Sequence, residues 1–350
     1  MRIRTGLKTH IVTFGLLCSF MFMNLRVLQA DGLIESRVTE HWFQTSIEDL
    51  SPNAKSVWET LSEKAEELGR MPSLPEFAEL VIDAEKPLTS DEQDRLLSLF
   101  WRIQNQPIER RDLFELRRAQ RALMTSYRAQ YVVNYRANLL RPEPLEEPIR
   151  LECDFAFDGP KAFYEKAVFQ NDELALRETE GFDGEALRGL LREPGHSPHG
   201  YIMTLDSRSR KRFYGFGNPF LAAGLLNGPI DWGRDVQGMD DLAEQMRTSL
   251  IFETPVEIDG IECLAFGCFQ EMYFCAPELG YAFIELRSGK YRLDKATGAY
   301  EKSDSCLVQK NSDFVEVIDG LQLPQTIEHI HMRDGEVFVD FTTTVQKYEV

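Results

Sequence analysis

Residues 127–139 read YRAQYVVNYRANL, and their alternation decides the fold. The odd positions, Tyr127, Ala129, Tyr131, Val133, Tyr135, Ala137 and Leu139, are apolar or aromatic. The even positions are Arg128, Gln130, Val132, Asn134, Arg136 and Asn138, polar with one exception. A period of two sustained this long predicts one extended strand with a dry face and a wet face. A proline-rich joint follows, Arg141 to Pro148, and then Leu151, Cys153, Phe155 and Phe157 alternate again.

Downstream of this strand the chain is punctuated by Asp-Gly pairs, at 158–159, 183–184, 259–260, 319–320 and 334–335. Ser288-Gly289 and Thr297-Gly298 add two similar turns. Asp-Gly suits the type I′ turn, whose twist matches an antiparallel hairpin. Register can be checked against polarity. A two-residue loop at 259–260 sets Ile258 against Ile261 and Val256 against Cys263. At 334–335 it sets Met332 against Val337 and Ile330 against Val339 on one face. On the other face it pairs Arg333 with Glu336, His331 with Phe338 and His329 with Asp340. The back half therefore reads as a meander of about ten antiparallel strands, which must curl and have its dry side covered.

Upstream the period becomes helical. Ser51-Pro52 starts a helix carrying Ala54, Val57, Trp58, Leu61, Ala65 and Leu68, and Gly69 stops it. A second helix spans about Pro75 to Ala84. A third begins near Ser90, with Gln93 at the capping-box position and Leu96, Leu97, Leu99, Phe100 and Ile103 on its apolar side. A fourth covers about 109–124, where Arg110, Arg111, Arg117, Arg118 and Arg121 alternate with Glu109, Asp112 and Glu115 and read as a solvated face. The fold class is α+β: an N-terminal helical segment followed by a strongly curved antiparallel sheet, a half-barrel covered by helices.

Residues 213–233, FYGFGNPFLAAGLLNGPIDWG, interrupt the meander. Asn218-Pro219 starts a short helix over Phe220 to Leu226, apolar on nearly every side and set between glycines. Such a helix must be buried. It reads either as fixed core or as a lid over the dry face of the sheet. In the second case the ligand-lining residues are Tyr127, Tyr131, Val133 and Tyr135 from the long strand, and Phe216, Phe220, Leu221, Leu225 and Leu226 from the insertion.

The first 30 residues combine Arg2, Arg4 and Lys8 with an apolar run from Ile11 to Leu25. That run is shorter than the roughly 20 residues of a bilayer span, so it reads as a secretory signal peptide cleaved after Ala30. An uncleaved anchor is the alternative. The expected organisation is 1–30 signal peptide, 31–107 helical segment and 108–350 sheet domain, in a periplasmic or otherwise extracytoplasmic protein with no later membrane span. Export raises the question of disulfides among Cys153, Cys263, Cys268, Cys275 and Cys306, whose pairing spacing alone does not choose.

Composition is that of an ordinary globular protein, with 43% hydrophobic and 27% charged residues. Net charge is −18, and without the leader's four basic residues 35 bases face 57 acids, or −22. So acidic a chain repels phosphate backbones, which excludes a broad nucleic-acid surface. The sequence contains no HExxH, GxSxG, P-loop or CxxC. His196 with His199, and His329 with His331, read as a polar loop and a polar strand face rather than metal ligands. No catalytic residue, metal or cofactor is assigned.

Taken in order, the leader, a helix running into a long strand (Leu113 to Leu139), Asp-Gly turns and a Gly/Pro-flanked insertion resemble the exported lipoprotein-carrier-like superfamily. PELGY at 277–281, DFVEV at 313–317 and GLQLP at 320–324 contribute to the likeness, which spans about residues 108–350. The resemblance implies a half-barrel that holds acyl chains in its concave face. It implies nothing for residues 31–107, which leaves those helices for a protein partner. The expected function is a non-enzymatic, exported binding protein for an acyl chain, lipid or lipoprotein. The alternatives are a structural or regulatory interaction module of the cell envelope, and a hydrolase with an unrecognised site.

Overall fold

A computed structural model describes residues 46–350 apart from 85, 105–123, 125, 138–143, 159–160, 184–185, 205–216, 224–250, 295 and 334–335. The leader, the expected helix over 109–124 and most of the 213–233 insertion lie outside the described residues. Three helices come first: α1 (Pro52–Leu68), α2 (Leu74–Ile82) and α3 (Ser90–Gln104). Fifteen described strands follow, more than the ten or so expected: β1 (Ser126–Ala137), β2 (Pro144–Asp158), β3 (Lys161–Gln170), β4 (Glu173–Phe182), β5 (Ala186–Arg192), β6 (His199–Thr204), β7 (Ile251–Ile258), β8 (Ile261–Gly267), β9 (Glu271–Ala276), β10 (Ala282–Ser288), β11 (Tyr291–Asp294), β12 (Ala299–Lys302), β13 (Ser305–Ile318), β14 (Leu321–Arg333) and β15 (Glu336–Glu349). A single helical turn, α4 (Pro219–Ala222), stands between β6 and β7.

Thirteen strands form one antiparallel sheet in the order β6-β5-β4-β3-β2-β1-β15-β14-β13-β10-β9-β8-β7, and β11 and β12 form a separate ribbon. Two meanders thus run outward from a central seam, where β1 pairs with β15 from Arg128–Glu349 to Tyr135–Phe341. All five Asp-Gly pairs fall between consecutive antiparallel strands. At 259–260 both residues have positive φ, 51° and 84°, as a type I′ turn requires, and the ladder sets Ile258 against Ile261 and Val256 against Cys263. A further turn of this kind sits at Asn171-Asp172, with φ of 52° and 60°.

Two register expectations need correction. The β14–β15 hairpin begins as its polarity predicts, but a bulge between His329 and Ile330 sets His329 against Phe341 instead of Asp340. The proline-rich joint is itself partly strand: β2 begins at Pro144, and the ladder jumps from Tyr135–Ile149 to Ala137–Pro144. The extra residues of β2 escape the ladder there, which accommodates Pro148 without a lost hydrogen bond.

Cross-strand register identifies the faces. Tyr131 stands opposite Cys153, Cys153 opposite Lys166, and Lys166 opposite Glu178. In the other direction Tyr135 faces Phe341, then His329, Gln309, Leu286, Tyr273 and Phe266. Residues in such a row share one face of the sheet, here called the tyrosine face. Its buried side chains include Tyr127, Ala129, Tyr131, Val133, Tyr135, Phe155, Tyr164, Phe341 and Val345. Across β1 from them, Arg128 donates through Nε to Asp154 at 2.7 Å with Gln130 alongside, so the opposite face is polar at this end.

At the β7–β10 end the polarity is reversed. Phe252, Ala265, Met272 and Phe274 point away from the tyrosine face and join a core with Trp58, Leu61, Phe77, Leu97 and Phe100 of the helices. Phe77 stacks on Phe100 at 4.1 Å, and Phe100 on Phe252 at 5.6 Å. The helices therefore cover the face opposite the tyrosines. α1 starts as the sequence predicts: Ser51 Oγ accepts from the Ala54 amide and Gly69 closes it at φ 64°. α3 does not. Its capping box is Thr89 with Glu92, which exchange hydrogen bonds of 2.8 and 3.3 Å. Gln93 is 2% exposed and bridges the Tyr300 backbone instead, donating at 3.2 Å and accepting at 2.8 Å. A buried carboxamide satisfied at both ends docks the helix on the β11–β12 ribbon.

Candidate functional site

Residues 217–223 of the insertion occupy part of the dry side of the tyrosine face. They lie across the strands, with Asn218, Phe220 and Ala222 buried. Gly217 is packed so closely that a Cβ there would come 2.5 Å from Thr343 Oγ1 and 2.9 Å from Val133. Its φ of 67° is a second reason for glycine. Asn218 Oδ1 accepts from the Phe220 amide at 3.0 Å and so starts the single turn of α4. That turn presents the Phe220 ring to the sheet: 4.2 Å from the Tyr127 ring, 5.6 Å from Tyr348 and 6.4 Å from Phe155.

The other end of this plug is held by amides. Gln309 Nε2 and Asn311 Nδ2 both donate to the Ala222 carbonyl, at 3.0 and 3.1 Å. Asn311, 3% exposed, also donates to the Phe283 carbonyl at 2.9 Å and accepts from Gln309 at 3.2 Å. The plug thus combines one aromatic anchor with one carbonyl on a donor pair, two residues apart.

Towards β6 the tyrosine face becomes polar. Cys153 Sγ lies 3.5 Å from the Tyr164 hydroxyl, beside Tyr131. Burial pushes the Cys153 thiol up to about 11 and raises both tyrosines well above their ordinary values. Next in the same face, Lys166 pairs with Glu178 at 2.7 Å, and the Tyr201 hydroxyl reaches Glu178 at 3.2 Å and the buried Glu180. Tyr201 lies flat on Gly189, where a Cβ would fall 2.0 Å from its ring. Burial, then the two carboxylates, raises the Tyr201 phenol.

A cleft of about 750 Å³ opens at the strand ends beside the plug. Tyr127, Phe157, Ala162 and Phe182 line it, with Lys161 and Arg188 also at its walls. Tyr127 is common to the cleft and to the seat of Phe220.

Of the residues expected to line a ligand site, Tyr127, Tyr131, Val133 and Tyr135 are buried together on one face and Phe220 is wholly buried against it. Leu221 lies in α4, with its side chain outside the described residues; Phe216, Leu225 and Leu226 are outside them altogether. Sequence reasoning missed Thr343, Tyr348, Gln309 and Asn311, which reach the plug from strands far along the chain. The alternation of β13 signals its inward positions, but nothing local marks an amide as a partner for residue 222. Of the histidines, His329 stacks on Phe341 at 4.7 Å and lies 3.5 Å from Asp340, while His196 and His199 are exposed. No disulfide joins the five described cysteines. Among the described residues, no group of three or more His, Cys, Asp and Glu is arranged to hold a metal, and no helix is long and apolar enough to cross a membrane.

No family model matches the chain, and no curated protein is similar to it. Solved structures that share a distant likeness include the following two. A DUF1329 family protein from Desulfovibrio piger is 11% identical, with 68% of this chain and 92% of that one covered, at a TM-score of 0.34. A beta-barrel-like protein of the domain of unknown function DUF1849 from Brucella abortus is 10% identical, with 64% and 97% covered, at a TM-score of 0.17.

Proposed function

We propose that this chain is an exported, non-enzymatic binding protein that holds an acyl chain, as part of a lipid or a lipoprotein, against the tyrosine face. One observation carries the reading: the buried aromatic face is occupied by a short segment of the chain itself, next to an apolar-floored cleft. Withdrawal of residues 217–223 would uncover a row of side chains already in place. Each methylene then buried would contribute about 0.8 kcal/mol. The resemblance to the lipoprotein-carrier-like superfamily agrees with this mode, and the signal-like leader with an extracytoplasmic setting.

The rival readings draw less support. A docking surface on α1 or α3 calls for an exposed apolar stripe, but Ala54, Trp58, Leu61, Leu96, Leu97 and Phe100 face the sheet core. A cysteine hydrolase calls for a thiolate, whereas burial keeps the Cys153 thiol protonated at neutral pH. The test is native mass spectrometry of protein purified from its own host. A co-purifying lipid is the expected result. No lipid, together with no binding of a fluorescent fatty acid, would refute the reading.

A further inference from the structure

We infer that the plug is a stand-in for the ligand, and that Gln309 and Asn311 are the anchor for the ligand's neutral acyl carbonyl, an ester or amide. The inference rests on the acyl-binding reading above and specifies the chemistry it recognises.

The argument starts from what the plug leaves behind. Asn311 is 3% exposed, and its amide nitrogen and that of Gln309 converge on one oxygen, Ala222 O. A buried donor deprived of its acceptor carries the desolvation penalty of the group. An alkyl chain filling only the place of Phe220 would leave one N–H of each amide unpaired, while Asn311 kept the Phe283 carbonyl and Gln309 kept Asn311 Oδ1. A ligand that brings its own carbonyl to the same spot would pair both again. The receiving groups are neutral carboxamides that donate towards the site, and Lys310 points to the other side of β13, where it pairs with Asp259 at 2.8 Å. The chemistry fits an uncharged acceptor better than a carboxylate, which would prefer a cation.

A second observation points to the same surface. Thr343 is 0% exposed, and its hydroxyl has no hydrogen-bond partner among the described residues. It lies in one cross-strand row with Ile327 and Asn311, two strands from Asn311 and so roughly 9.5 Å away. Gly217 rests directly on it. Buried orphan hydroxyls are uncommon in native proteins. This one lies beneath the plug, where a second oxygen of an ester or a glyceryl group would satisfy it. The floor therefore offers an aromatic seat for a chain, a double donor for its carbonyl, and a further hydroxyl within reach of the group beyond.

The test compares two ligands that differ only in the carbonyl: 1-monomyristoylglycerol, an ester, and 1-O-tetradecylglycerol, its ether counterpart. Each displaces the neutral dye N-phenyl-1-naphthylamine from the purified full chain. The ester is expected to bind about tenfold more tightly than the ether, the effect of one to two neutral hydrogen bonds. In Gln309→Met and Asn311→Leu variants that ratio should fall towards one, whatever the variants do to plug closure, because each protein is its own control. Gln309→Met, at a half-exposed position, covers the case in which the Asn311 variant fails to fold. Equal binding of ester and ether by the wild type overturns the carbonyl anchor and leaves acyl binding standing. A preference that survives in both variants overturns it as well. Failure of the dye and both lipids to bind removes the acyl-binding reading and the anchor together.

Discussion

Replacing Phe220 with alanine separates a removable plug from a fixed core element, and Phe77→Ala is its matched control. Both rings are 0% exposed, and both lie against other aromatics, Phe220 at 4.2 Å from Tyr127 and Phe77 at 4.1 Å from Phe100. A buried phenylalanine keeps roughly 150–200 Å² of apolar surface from water, worth about 4–5 kcal/mol at ~25 cal/mol/Å². Alanine retains part of this, so each substitution should cost the closed state about 3–4 kcal/mol. The two losses act on different equilibria. Phe77 is released only when the helix core unfolds, so its loss should appear in full in urea unfolding followed by tryptophan fluorescence, with Trp58 and Trp101 reporting from the same core. Phe220 is released when residues 217–223 lift, so its loss of global stability is capped at the free energy of that opening. The same shift in that equilibrium should emerge as tighter binding of N-phenyl-1-naphthylamine, by about 100-fold where opening costs ~2.7 kcal/mol. Equal loss of stability in the two variants, with dye binding no better in Phe220→Ala than in wild type, would refute the plug.

Other consequences follow from individual contacts. Gln93→Leu removes both hydrogen bonds between the helix and the Tyr300 backbone and should destabilise the protein by about 1–3 kcal/mol in urea melts; a loss below ~0.5 kcal/mol would mean that the helix does not dock this way. Gly189→Ala should dislodge Tyr201 from Glu178 and Glu180 at a cost of about 1–3 kcal/mol, and hydrogen exchange of β6 should accelerate while that of β14 does not. The Cys153 thiol, held up near 11 by burial, stabilises the fold fully below its unfolded value of about 8.5 and loses that contribution as pH rises through about 11. Urea midpoints should therefore decline over that window, less steeply in Cys153→Ala, and a parallel decline in both proteins would assign the effect elsewhere. Glu76, held near 2 by Arg70 and the Ser73 cap, acts in the opposite sense: its contribution is present above about 4.5 and lost as pH falls towards 2, a loss that Arg70→Met should shrink in acid titrations.

Much of the sheet is written in contiguous residues. Tyr127 to Tyr135 alternate, and the structure buries each odd member. Asp259-Gly260 predicts a type I′ turn, and both residues have positive φ. The errors lie where a local pattern had two readings. Gln93 and Glu92 are both reasonable N-terminal partners for α3; Thr89 takes Glu92, because Gln93 faces the ribbon of β11 and β12. His329 and Asp340 count as opposite residues until a bulge inserts one extra position. The site is half legible: the tyrosines and Phe220 stand out by spacing, whereas Gln309, Asn311 and Thr343 become significant only once residues 217–223 lie on them.

By itself, the sequence determined the long alternation of β1, the Asp-Gly turns and which side of β1 is dry, because side-chain alternation and turn dihedrals belong to neighbouring residues. Only the tertiary structure decided that β15 closes against β1, that the helices pack on the face opposite the tyrosines, and that residues 217–223 cover those tyrosines. An apolar stripe will bury itself against any apolar surface that fits. Which surface it meets depends on the register of strands and the placement of amides far away in the chain.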